Sequence, residues 1–153
     1  MPLFKKVIDV YSPVTGKLKP IDKVSDELFS SKTMGDGFAV EPSDHMIVSP
    51  IKGEITSIFP TKHAISIKTK GNLEVLLHIG IDTVELKGTG FHLAVEKGDK
   101  VTFKTKIADV DFDYLKLKEK VTDVMVIFTN LESRKMVANS GDVSAGQKIG
   151  SVL

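Results

Sequence analysis

Two histidines fifteen residues apart, His63 and His78, flank the small polar turn Lys70-Gly71 in a chain of 153 residues. An imidazole changes charge near neutral pH, ligates metals and, when neutral, can attack phosphorus. A complete zinc site needs three or four protein ligands or an open fourth position. The pair supplies two, and neither His45 nor His92 stands at a recognisable ligand spacing. Nucleophilic histidine fits better. A phosphoryl group can be passed on through a phosphohistidine with little more than positioning and charge stabilisation from the protein. In this chemistry one imidazole attacks and the other hydrogen-bonds the phosphoryl oxygens, while the hydroxyl of Thr61 fixes the tautomer of His63. Gly80, two residues after His78, would let the chain turn so that a backbone carbonyl faces the near ring nitrogen of His78 and leaves the far one free.

Such a pair needs an element that brings the rings together. Apolar residues cluster over 64–68 and 73–79 on both sides of Lys70-Gly71, the pattern of a β-hairpin. A two- or four-residue loop centred on that dipeptide sets His63 directly opposite His78, with Cβ atoms roughly 4.5–5.5 Å apart. A slip of one residue would send them to opposite faces. In the expected register Thr61, Ile65, Ile67 and Leu76 share the histidines' face, giving a shallow, partly dry site.

The rest of the chain reads as all-β. Twelve glycines and six prolines separate short runs of Val, Ile, Thr and Phe, as in an antiparallel sandwich or barrel. Strands are expected over residues 5–11, 37–41, 45–48, 53–59, 63–68, 73–78, 91–95, 100–110, 122–129 and 146–152. Two short helices are expected, one in "SDELFSSK" capped by Ser25 and one in "DFDYLKLKEK" from Asp111. Two internal repeats stand out. "SPVTGKLKPI" at Ser12 returns as "SPIKGEITSI" at Ser49, and "EKGDKVTFKTKI" at Glu96 is echoed by "SAGQKIGSV" at Ser144, implying two similar halves around one core. No linker divides the chain, so one domain over residues 1–153 is expected.

Composition narrows the function. There is no cysteine, which excludes a disulfide scaffold, a thiolate metal site and a thiol nucleophile. Lys and Arg total 21 against 20 Asp and Glu, and Arg134 is the single arginine, so nothing favours nucleic acid. The amino-terminal stretch carries no apolar run long enough for a signal peptide or a membrane span, and a cytoplasmic location is expected.

"HIGIDTVELKGTGF" from His78, with "KHAISI" at Lys62, "GDGFAV" at Gly35, "SPVTG", "DELF", "MIVSPIKGEI" and "GDKV", resembles the glucose-type IIA domain of the bacterial phosphoenolpyruvate-dependent sugar phosphotransferase system. The resemblance runs from about Tyr11 to the carboxyl end. It implies a β-sandwich or barrel-like domain that takes a phosphoryl group from the histidine of the carrier HPr and gives it to a cysteine on a sugar-specific IIB domain. By matching position, it makes His78 the phosphorylated residue, His63 the second active-site histidine and Thr61 its support. It places Asp26 and Asp82 where acidic residues meet a basic partner, and Phe29, Met34, Phe59, Leu76 and Val84 on an apolar docking face. No cofactor is required, though zinc shared by His63, His78 and a partner carboxylate is compatible with it. Membrane association is expected only through the permease, since "MPLFKK" is shorter than the amphipathic segment of enteric members and the chain is expected to stand alone. One departure is Glu27, which occupies a position beside Asp26 that is usually apolar.

Two other classes share some of these features. A binding and regulatory module would dock through the hairpin without chemistry. A lipoyl- or biotinyl-type carrier uses similar Pro-x-x-Gly and Gly-Asp-x-Val turns, but it needs a modifiable lysine in a special context, and Lys70 lies in "TKGN". A zinc peptidase of β architecture is disfavoured by the missing His-x-His and His-x-x-x-Asp spacings.

Overall fold

Runs rich in Val, Ile, Leu and Phe, closed by glycine, proline and polar turns, form fourteen strands within residues 7–153, the part of the chain that the computed structural model describes. The expected strand start at residues 5 and 6 and the "MPLFKK" stretch lie outside the described residues. The strands are β1 Ile8–Tyr11, β2 Gly16–Pro20, β3 Asp36–Pro42, β4 Met46–Val48, β5 Gly53–Ile58, β6 Ala64–Lys68 and β7 Glu74–Ile79. They continue with β8 Phe91–Leu93, β9 Lys100–Val101, β10 Lys106–Val110, β11 Val124–Phe128, β12 Met136–Ala138, β13 Gly141–Val143 and β14 Lys148–Val152. Two short helices, α1 Glu27–Ser30 and α2 Phe112–Leu117, and 3-10 turns at Ile21–Lys23 and Thr83–Leu86 connect them. No helix among the described residues is long and apolar enough to cross a membrane.

An eight-stranded sheet runs β13-β2-β3-β11-β7-β6-β5-β9, and two three-stranded sheets run β1-β14-β12 and β4-β10-β8, with antiparallel pairing throughout. The fold is therefore the expected antiparallel β-sandwich with a few short helices. The large sheet also shows the duplication, since β13-β2-β3 on one flank is mirrored by β9-β5-β6 on the other. The repeated serine-proline loops meet reciprocally. Tyr11 N–H donates to Pro50 O at 2.9 Å and Val48 N–H to Pro13 O at 2.8 Å. Ser12 and Ser49, both fully buried, each donate to the carbonyl two residues on. The glycine turns match as well. Glu96 N–H is held by the Asp99 carboxylate and Ser144 N–H by the Gln147 side-chain carbonyl, at 2.8 and 3.0 Å.

The central strands β3, β11 and β7 are buried on both faces, as is β6 at its Ala64 end. One face sends Phe38, Val40, Ile65, Ile67, Val75, Leu77, Ile79, Val124, Val126 and Phe128 into the main core. The other sends Ala39, Ala64, Leu76, Met125 and Ile127 into a smaller cluster closed by Ile21, Val24 and Phe29 from the segment leading into α1. Such two-sided burial accounts for the unbroken apolar run of β11. His78, between Leu77 and Ile79 on β7, points to the smaller cluster's side.

Several expectations change. Strand 100–110 breaks in two, because a tight turn with Thr105 N–H donating to Thr102 O at 2.9 Å lets β9 pair with β5 and β10 with β4 and β8. Strands β2, β12 and β13 lie outside the expected set. Helix α1 is capped by Asp26, whose carboxylate accepts from Leu28 N–H at 2.8 Å, rather than by Ser25. The hairpin register is off by one. Ala64, not His63, pairs with His78. The cause is a three-residue loop, residues 70–72. Thr69 N–H donates to Leu73 O at 2.9 Å, and Asn72 takes a left-handed conformation at φ 62°. This also places Ile65 and Ile67 in the main core, away from the face that carries Leu76 and His78.

The left-handed residue makes the loop testable. Asn72→Val should destabilise the protein by about 1–2 kcal/mol in urea unfolding, and Asn72→Gly should not, because the left-handed cost comes from Cβ, is greatest where Cβ is branched and is absent in glycine. Equal stability of the two variants would contradict the loop geometry.

Candidate active site

With His63 one position out of register with His78, alternation would separate the rings. They nevertheless approach to 5.0 Å between centroids, edge to face at 80°. The chain turns sharply just before His63. Lys62 is left-handed at φ 63° and its N–H donates to Phe59 O at 2.8 Å, so the strand's alternation does not reach His63. The backbone of His63 still joins the sheet, its carbonyl accepting from Ile79 N–H at 2.8 Å. Its ring is almost fully buried, and Thr61 Oγ1 lies 2.7 Å from its Nδ1.

His78 is held differently. Its Nδ1 lies 2.8 Å from Gly80 O. A carbonyl can only accept, so Nδ1 carries the proton and, in the neutral ring, Nε2 has the lone pair. Among the described residues nothing hydrogen-bonds Nε2. Gly80 makes this possible with φ 77°, and a Cβ there would lie 2.5 Å from the Thr83 methyl. Phe29 packs its ring 5.0 Å from that of His78, and Phe59 packs edge-on 5.6 Å from His63.

The enclosure lowers both pKa values. Burial pushes His78 down to about 4, the neighbouring His63 adds to this, and the Gly80 bond and the Asp26 carboxylate oppose it. Burial also lowers His63, and the backbone of Thr61 works the other way. At neutral pH both rings are uncharged. The site is thus an enclosed pair of neutral imidazoles, one of them with Nδ1 engaged and Nε2 without a hydrogen-bond partner among the described residues.

The structure brings together His63, His78, Thr61 and Gly80 as the sequence reading expects, with Asp26 close enough to act on His78 electrostatically. The expected docking residues divide. Phe59 and Val84 are exposed, as is Asp82 at the left-handed start of the 3-10 turn after Gly80. Met34 is half-buried against the smaller cluster. Phe29 and Leu76, 5% and 8% exposed, are floor rather than rim and offer a partner little area. Leu28 and Val121, outside the expected set, are exposed apolar residues on α1 and in the segment whose carbonyl receives Ile81 N–H. Their signal was an apolar side chain on the outer side of a short polar segment. No group of three or more His, Asp or Glu in metal-binding arrangement occurs among the described residues.

Residues 8–134 match the family model described as phosphoenolpyruvate-dependent sugar phosphotransferase system, EIIA 1. The glucose-specific EIIA component of Halalkalibacterium halodurans is 46% identical over 123 residues, 80% of this chain and 71% of that protein. The glucose-specific EIICBA component of Staphylococcus carnosus is 39% identical over 92% of this chain, which spans about a fifth of that longer protein. Among solved structures, the glucose permease IIA from Mycoplasma capricolum superposes with a TM-score of 0.91 at 35% identity, covering 99% of both chains.

The ring environment predicts a specific titration. In 15N-detected NMR His78 should remain neutral, with the proton on Nδ1, until the pH falls to about 4. Both histidines have folded pKa values below the unfolded one. Stability is therefore full above about pH 6.5 and declines as acid protonates the unfolded chain first. A His78 midpoint near 6.5 would contradict the enclosure.

Proposed function

The chain belongs to the EIIA 1 family of the phosphoenolpyruvate-dependent sugar phosphotransferase system, and from that premise we propose that it is a histidine phosphocarrier, taking a phosphoryl group from phospho-HPr and giving it to the cysteine of a glucose-type IIB domain. The observation that carries this reading is the state of His78: Nδ1 is bound to Gly80 O and Nε2 is unengaged beside a second neutral imidazole.

In the forward step the Nε2 lone pair of His78 attacks the phosphorus held by the donor histidine. The new N–P bond forms as the donor's N–P bond breaks, and the released electron pair returns to the donor ring. The Nδ1 proton stays on His78, shared with Gly80 O. The Thr61 hydroxyl lies 2.7 Å from Nδ1 of His63, and we assign it as the donor there, which leaves Nε2–H of His63 to donate to a phosphoryl oxygen. Onward transfer is the same displacement with a cysteine thiolate as nucleophile, and the bond broken is that between His78 Nε2 and phosphorus. This chain has no cysteine, so the acceptor thiol belongs to a partner. The fusion of this unit into EIICBA relatives supports a permease as that partner.

Partner contact is assigned to the rim around the rings. Phe59, Val84, Leu28 and Val121 provide exposed apolar area, and Asp26 and Asp82 provide charge for a basic partner. The carrier needs no cofactor. Zinc at the pair would use the two Nε2 atoms, with the His63 proton moved to Nδ1 and donated to the Thr61 hydroxyl, and it would take a further ligand from a partner. We read the whole chain as one cytoplasmic carrier domain that meets the membrane through its permease.

Intact-mass analysis after incubation with phosphoenolpyruvate, enzyme I and HPr tests the reading. Wild type should gain one acid-labile phosphoryl group, His78→Gln none, and His63→Gln should accept the group but pass it on poorly to a IIB domain. Equal labelling of wild type and His78→Gln would refute the assignment. Lack of label in wild type, with a working IIA control, would favour a binding module without chemistry.

A further inference from the structure

The carbonyl of Gly80 can select the tautomer of His78 only if it cannot swing away, and two successive peptide planes hold it. In the Gly80–Ile81 peptide the carbonyl faces His78 Nδ1, and the N–H of Ile81 donates to Val121 O at 3.0 Å. In the preceding Ile79–Gly80 peptide, the N–H of Gly80 donates to Asp123 O at 2.8 Å. The carbonyl of that same peptide accepts from Thr83 Oγ1 at 2.6 Å. Two of these four contacts are backbone to backbone, and a third is the bond to His78 itself. Besides His78, the hydroxyl of Thr83 is the side-chain group that holds these two peptides, and Thr83 is fully buried.

Backbone bonds fix the N–H side of both peptides, and the Thr83 hydroxyl fixes the carbonyl side of the first. Gly80 and Asp82 are both left-handed, at φ 77° and 61°, and each could relax if the closure from Thr83 to Ile79 were lost. The Thr83 methyl fills the space where a side chain at Gly80 would be, so the residue packs and donates from one position.

We propose that Thr83 is a positioning residue for His78: its hydroxyl fixes the Ile79–Gly80 peptide, which keeps Gly80 O against Nδ1 and Nε2 as the outward nitrogen. Its kinetic consequence rests on the carrier reading, whereas its structural consequence does not. A role in packing alone would require the methyl but not the hydroxyl, and it would leave the tautomer untouched.

The test compares Thr83→Val, which keeps the shape and removes the donor, with Thr83→Ser, which keeps the donor and removes the methyl. Long-range 1H–15N NMR reads the His78 tautomer, and phosphoryl acceptance from phospho-HPr reads the rate. Thr83→Ser should keep the Nδ1–H pattern and a rate within about twofold of wild type, and Thr83→Val should show mixed tautomers and lose about tenfold or more. A folded Thr83→Val with wild-type tautomer and rate would overturn the proposal. So would a Thr83→Ser that loses the Nδ1–H pattern, and this second arm decides the matter even if the valine variant fails to fold. If wild type accepts no phosphoryl group the carrier reading fails, and the tautomer of the two variants still decides the role of Thr83.

Discussion

One hydrogen bond, from Nδ1–H of His78 to the carbonyl of Gly80, determines which nitrogen of the ring faces outward. In water such a bond is worth about 1 kcal/mol net, enough to bias a tautomer about fivefold. In the enclosed site the bias is larger, because a lone pair turned toward a carbonyl would be repelled and the proton would lose its partner. Burial adds the second condition by keeping the ring neutral at physiological pH. A neutral ring with a defined tautomer is a competent nucleophile, and one lacking either property is not.

The fold supplies both conditions through the two-sided burial of its central strands. The main core fixes β7 from one face through Val75, Leu77 and Ile79, so the opposite face is presented without freedom to rotate. On that face the smaller cluster around Phe29, Leu76 and Met125 walls the ring off from water while leaving its edge accessible. The segment that closes this cluster is short, and it is held by the Asp26 cap at the start of α1. The same carboxylate therefore caps the start of a helix and acts electrostatically on His78. Duplication explains why the sheet is wide enough to carry the site at its middle, since each half contributes one flank and β7 and β11 meet at the join.

The legible part of the site was which side chains meet, and the obscure part was the backbone that brings them there. The contacts expected of residues 61, 63, 78 and 80 are found because imidazole, hydroxyl and glycine have few alternatives in such a pattern. The register did not follow, since a three-residue loop differs from a two-residue one only in letting Asn72 go left-handed, which asparagine tolerates without demanding. That one-residue error should have parted the histidines. It did not, because Lys62 is also left-handed, and no pattern in "TKHA" announces this. Phe29 and Leu76 were placed in the right neighbourhood with the wrong exposure, as the apolar pattern cannot separate a floor from a rim when both are apolar. The continuous run at residues 124–128 marked a strand buried on both faces, but which face met the helical segment depended on contacts distant in sequence.

The central claim is that backbone geometry at Gly80 makes Nε2 of His78 the phosphoryl acceptor. It is tested most directly by locating the phosphorus-nitrogen bond in the 15N-histidine-labelled phosphoprotein through 31P–15N coupling. The account predicts coupling to Nε2 of His78, with its Nδ1 still protonated. Coupling to Nδ1 of His78, or to either nitrogen of His63, would contradict it.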